Sequence, residues 1–283
     1  MVLGCLDLAV FYFWLCRFRL SRRAFCWFAG IAILLLALVS PFDELADMYL
    51  FSFHMAKHIL FVLVVPALLL VGLPPDALPL ARNPRLSRVR RLLGNPVFAW
   101  TAGIGAMAFW HLPVVFNAAL SHESLHIVEH LSLLAGGTIY WWPVLSPVAQ
   151  LRLRPVPQAA AYLFTSCLAC TSMGVLITFA PRLLYPAYAN PHDAYGILPM
   201  IRDQWGISAA MDQQIGGLLM WVPCCLVYLI AIMAMFARWY GEEHSAVAEA
   251  GIVNPKPRKR AGRPRCPSIW RSLLIGRPCS RWE

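Results

Sequence analysis

His54 and His58 stand four residues apart in FSFHMAKHIL, at the head of a long apolar run. Four residues of helix rise about 6 Å and return to the same face, so both imidazoles can reach one metal ion. The pattern recurs. His111 closes FWHLP, and SHESLHIVEHLSLL carries His122, His126 and His130. About 12 Å of helix separates His122 from His130, so those three can hardly share an ion, and His126 with His130 is the favoured pair. Imidazole suits copper, zinc and iron, and thioether sulfur adds a preference for Cu(I), which brings in Met55, Met107 and Met211. Asp212, in MDQQIGGLLMW, is a ligand candidate or a partner that fixes a histidine tautomer; Glu129, beside His130, is another such partner.

Plainer explanations compete with each of these. A single histidine at a membrane interface is usually an amphipathic anchor, which is how His122 and His192 read. Paired histidines can simply hydrogen-bond between helices, and methionines pack. Ionisable groups inside an apolar span are costly, however, so the pairs outweigh the singles. Lys57 reads as a side chain that snorkels outward. Cys167 and Cys170, in SCLACTSMG, lie at mid-span and read as packing residues, with a copper relay as the alternative; Cys224 and Cys225 read as structural. Gly216 and Gly217 permit close helix contact.

The elements that must position these residues follow from composition. With 59% hydrophobic and 13% charged residues and a mean hydropathy of +0.60, the chain departs far from a soluble protein, where about a quarter of residues are charged. Several apolar runs approach or exceed the roughly 20 residues that a spanning helix needs. Alternating apolar and polar segments are absent, which excludes an outer-membrane barrel. The fold expected is all-α, a polytopic transmembrane bundle of about seven spans near 2–16, 24–39, 50–72, 96–112, 124–145, 159–180 and 208–237. Pro66 and Pro223 should kink their helices. The first apolar run lacks a basic leader and a cleavage site, and reads as a short first span with an upstream start or truncation possible.

Basic residues set the orientation. With the N-terminus outside, 21 of the 24 Lys and Arg fall in cytoplasmic segments, leaving Lys57, Arg182 and Arg202 outside. Seven of the eight histidines then gather at or just below the outer surface. Two regions are expected: the bundle over 1–240 and a basic, Pro-rich, disordered cytoplasmic tail over 241–283, drawn to anionic lipid head groups. No aromatic-interleaved module accompanies the tail's charge, so no nucleic-acid partner is expected. The nine cysteines lie mostly in apolar runs and form no disulfide framework.

Four stretches, in this order and spacing, resemble the CtaG-type cytochrome c oxidase assembly factors, multi-span proteins of bacterial inner membranes. They are SPFDELADMYLFSFHMAKHILFVLVVPALLLVGLPP, FWHLPVVFNAAL, LHIVEHLSLLAGGTIYWWPVL and DQQIGGLLMWVP, from about residue 40 to 225. The resemblance implies a non-catalytic role in maturing a haem–copper oxidase, with copper seated from the outer side. It implies as partners the oxidase, subunit one foremost, and a periplasmic copper donor. It carries a metal role onto His54, His58, His111, His126, His130 and Asp212; His122, His192 and the cysteine pair fall outside its motifs. The chain departs from the family in its short N-terminal region and its long basic tail. Two other readings remain: a His-box di-iron membrane oxygenase, whose boxes face the cytoplasm and bring more acidic ligands, and a haem-binding electron carrier with His58 and His130 as axial ligands.

Overall fold

The computed structural model describes residues 2–16, 21–75, 84–153 and 155–249, which are helical or irregular with no strand among them. Eight main helices carry the fold: α1 (Val2–Cys16), α2 (Arg22–Val39), α3 (Phe51–Gly72), α4 (Pro96–Trp110), α5 (Pro113–Ser121), α6 (Glu123–Leu145), α7 (Val156–Thr178) and α8 (Ala209–Glu249). The bundle unit runs from Met1 to Ala237. Of the second unit only residues 238–249 are described, and they are helical to Glu249, where disorder from about 241 was expected. The rest of the tail, and Arg17, Arg19, Arg82 and Arg154 from the orientation count, lie outside the described residues.

Every one of the seven expected spans falls on a helix, but not every helix is fit to span. Four are long and apolar enough to cross a membrane: α2, α3, α7 and the Ala209–Gly241 part of α8. A fifth is reached only if Ser87–Leu93 and α4 count as one span bent by 68°. The shortfall from seven has physical causes. α1 and α4 are each 15 residues, and α6, though 23 residues long, carries Glu123, Glu129, His126 and His130. Asn95 caps α4 through hydrogen bonds from the amides of Val97 and Phe98, and Pro96 follows at its start, so that helix begins afresh and cannot continue the preceding one. Large apolar side chains face outward on the spanning helices, Leu176 at 72% and Ile230 at 67% exposure, which suits lipid better than water.

The expected disturbance at Pro66 is present. α3 passes through a π-helical turn, Leu60–Val64, just before the proline, which lacks the N–H that would close the next turn on Val62. Gly137 of α6 sits against that carbonyl; a Cβ there would lie 2.5 Å from Val62 O. Gly103 of α4 meets Tyr140 of α6 equally closely. Small residues thus let three backbones approach and fix α3, α4 and α6 side by side.

Candidate metal centre

Each element delivers its polar groups to one end of this three-helix core. α3 starts abruptly because Leu50 is extended and the carboxylate of Asp212, in the first turn of α8, accepts hydrogen bonds from the amides of Phe51 and Ser52 at 2.7 and 3.1 Å. That cap anchors the turn from which His54 and His58 project. α6 starts at Glu123 after His122, and is tied to α4 by the indole of Trp110, which donates to Ser132 Oγ at 2.6 Å. The preceding π-helical turn, Leu45–Tyr49, folds Asp47 back over the start of α3. It is laced to the 181–208 loop: Tyr188 donates to the Ala46 carbonyl, and Tyr49 to Asp193.

Within this frame, one ligand atom from each of His54, His126, Glu129 and His130 lies within 4.8 Å of all the others. His54 and Glu129 are fully buried, His130 is 4% exposed, and His126 is partly open. Neither nitrogen of His54, Nε2 of His126, Nε2 of His130 nor either oxygen of Glu129 has a hydrogen-bond partner. Buried polar atoms normally find one, because leaving a donor or acceptor dry costs about 1–3 kcal/mol each. One such atom from each of the four residues, gathered around one point, makes a donor set suited to an imidazole-preferring cation.

A second layer flanks it. His111 donates from Nδ1 to the Met107 carbonyl at 2.6 Å, so its Nε2 carries the lone pair, 3.4 Å from His58 Nδ1 and 3.3 Å from Met55 Sδ. His58 therefore gives its Nδ1 proton to His111 and turns a bare Nε2 toward Glu129 Oε1 at 3.4 Å. Two acceptors face each other there, and only a proton or a cation between them relieves the contact. Phe116 of α5 walls the cluster, its ring centroid 5.0 Å from His54.

The outer rim is acidic and already holds one cation. Lys57 is fully buried, its ammonium 2.5 Å from Asp43 and 2.7 Å from Asp47. This corrects the snorkelling expected from sequence: the side chain turns to the folded-back Asp43–Asp47 segment instead of reaching water. Asp47 Oδ1 also lies 3.4 Å from His54 Nδ1 and 3.5 Å from His126 Nε2, outside hydrogen-bonding geometry but well within charge range. Burial opposes its charge, yet the His54 imidazole and the Lys57 ammonium prevail, holding the Asp47 carboxyl far below the usual range. At Asp43 burial wins over Lys57, and the carboxyl is pushed up. Asp43 and Glu44 line a cavity of about 660 Å³ with Tyr49, Tyr195 and Trp205, while an apolar cavity of about 240 Å³ between α1, α2 and α6 reaches His130.

Of the six residues singled out from sequence, His54, His126 and His130 share the centre, and His58 and His111 sit directly beside it. Asp212 does not join it; its oxygens cap α3. Met55 touches His111, Met107 lends its carbonyl, and Met211 is exposed. His122 and His192 are exposed, as expected of surface residues. Glu129 takes a more central place than a tautomer-fixing partner. Asp47 was overlooked, although Asp43 and Asp47, one helical turn apart just ahead of Lys57, offered a signal.

The family model described as cytochrome c oxidase caa3 assembly factor (Caa3_CtaG) matches residues 10–242. The chain is also similar to an uncharacterised protein of Mycobacterium leprae, 25% identical over 69% of this chain and 31% of that protein. Uncharacterised proteins of Mycobacterium bovis and Mycobacterium tuberculosis are each 23% identical over 77% of this chain and 34% of their own length. The chain thus spans about a third of the length of these relatives. No solved structure matches.

Proposed function

The chain belongs to the cytochrome c oxidase caa3 assembly factor family, and from that premise we propose that it takes up copper at the histidine–Glu129 centre and yields it to the oxidase during assembly. The observation that carries the reading is the set of buried, unpartnered nitrogen and oxygen atoms contributed by α3 and α6. Copper is cargo in this account. His54, His126, His130 and Glu129 hold it, His58 and His111 set ring orientation from behind, and Met55 adds a soft atom at the edge. Asp212 acts at one remove, by fixing the start of α3.

In this reading α1, α4 and α6 complete a seven-span bundle in the bacterial inner membrane, with the basic tail in the cytoplasm against anionic lipid and the histidine end toward the periplasm. A periplasmic donor delivers copper past Asp43 and Glu44, whose charge favours an arriving cation, and oxidase subunit one receives it. Partial access through His126 gives ligand exchange a place to begin. The role is non-catalytic. A di-iron centre would require more carboxylates than Glu129 and the rim residue Asp47 supply. The haem alternative is disfavoured because the one ring nitrogen of His58 with a free lone pair, Nε2, already faces the buried Glu129 carboxylate at 3.4 Å.

Metal analysis of full-length, detergent-purified protein tests the proposal. Copper-loaded native protein should retain about one ion, and a His54→Ala/His130→Ala variant at least about tenfold less at equal fold quality. Equal retention by both, or none by the native protein, overturns it.

A further inference from the structure

A second group of metal-binding side chains lies away from the histidines, between α7 and α8. These helices run antiparallel and touch through glycine: a Cβ at Gly174 would lie 2.8 Å from Gly217 O, and one at Gly217 would lie 2.9 Å from Gly174 O. Such close approach requires small residues where the backbones meet, with Trp221 and Tyr228 packed along the same seam. Four cysteines line it as well. Cys170 and Cys167 stand one and two turns before Gly174, and Cys224 and Cys225 about two turns after Gly217. Cys167 Sγ and Cys225 Sγ stand closer than two unbonded thiols can rest, so the pair must either part to admit an ion or bond, and Cys170 faces Cys224 across the same seam. Thr171 Oγ1 lies 3.1 Å from Cys225 Sγ, and Tyr228 OH 3.8 Å from Cys170 Sγ. All four are free thiols.

Sulfur paired with sulfur across two helices, with the hydroxyls of Thr171 and Tyr228 beside it, selects among ions. Among the described residues no carboxylate or imidazole lies against these sulfurs, so hard divalent cations find no ligands there, and charge neutrality in the membrane interior disfavours ions that demand several thiolates. Cu(I) needs few ligands, prefers sulfur and carries one charge. Binding replaces one thiol proton, which leaves to water, so that copper, one thiolate and one thiol make a neutral unit. We propose that Cys167 and Cys225, backed by Cys170 and Cys224, form a second metal site, specific for Cu(I). It lies about 18 Å along α8 from Asp212, and it stands or falls independently of copper binding at the histidines.

The test uses full-length protein purified under reducing, oxygen-free conditions and supplied with Cu(I) as its acetonitrile complex. In the His54→Ala/His130→Ala background, Cu(I) should still produce near-ultraviolet sulfur-to-copper absorption, and adding Cys167→Ser/Cys225→Ser should weaken it about tenfold or more. In the unaltered protein, Cu(I) should block maleimide labelling of Cys167 and Cys225, mapped by mass spectrometry, while leaving Cys26 reactive. Labelling indifferent to Cu(I), or a Cys167–Cys225 disulfide in protein taken directly from cells, overturns the site and makes these thiols packing residues.

Discussion

The two halves of α6 obey opposite rules. Its last turns bring Gly136, Gly137 and Tyr140 to the α3–α6 and α4–α6 seams, where backbones nearly touch and Tyr140's carbonyl receives the Tyr162 hydroxyl at 2.7 Å. Its first turns bring His126, Glu129 and His130 to the same interior and leave their polar atoms unpartnered. Helix association in lipid rests on close packing of small residues, because the hydrophobic effect gives little there. The comparison teaches a division of labour along one rod. The packed half supplies rigidity, and the polar half uses it to keep groups buried that would otherwise turn away or draw in water.

Altering the α3 histidines that the polar half faces should remove function and spare the fold. A His54→Ala/His58→Ala protein should accumulate normally while oxidase activity in the cell falls to that of a strain lacking the protein. Normal oxidase activity with that variant would mean that the unpartnered atoms have no role in assembly. Altering the packed half should do the reverse. Gly137→Val places methyl groups against Val62 O and Pro66, a clash with backbone that cannot be absorbed by a flexible side chain. The cost should be about 3 kcal/mol, read as a lower unfolding temperature in detergent and less protein in the membrane. Should Gly137→Val protein accumulate normally but carry no copper, the two halves would not be separable.

Lys57 lies between those extremes. Its ammonium bridges Asp43 and Asp47, and Lys57→Met would leave the two carboxylates facing each other. Both acids remain partly in contact with solvent, their side chains 30% and 25% exposed, so the loss should be about 2 kcal/mol, below the cost of stranding a fully buried charge. Asp43→Asn in the same chain should recover part of it. A larger recovery from Asp47→Asn would show that Asp47, and not Asp43, carries the interaction.

The histidine gathering was legible in the sequence because helical periodicity alone puts His54 with His58 and His126 with His130, and charge placement puts both pairs at one end. The seven apolar segments were legible as helices for the same reason. What periodicity cannot show is a chain that folds back. Asp47 reaches the rim through a π-helical turn, and Lys57 follows it inward, so neither partner is visible from helix spacing. Length and composition alone support four or five of the seven expected spans; α1 and α4 fall short by their length and α6 by the groups of the centre itself. Asp212 was legible as important, but its partner amides are more than 150 residues away, and that pairing exists only in three dimensions.

Asp212 therefore gives the smallest and sharpest test of how the polar half is held. A carboxylate at the N-terminus of α3 satisfies two orphan amides and suits the positive end of the helix dipole. Asp212→Asn keeps one acceptor oxygen, so stability should drop by less than about 1 kcal/mol and copper retention should match the native protein. Asp212→Ala removes both acceptors and frays the turn that aims His54; it should cost about 1–2 kcal/mol and lower copper affinity only modestly. The two substitutions differ little as metal ligands, since an amide oxygen is a poor replacement for a carboxylate at a copper centre and a methyl is none. Equal and severe loss of copper in both variants, with stability hardly changed, would place Asp212 among the ligands and make the capped geometry only one state of a centre that rearranges when loaded.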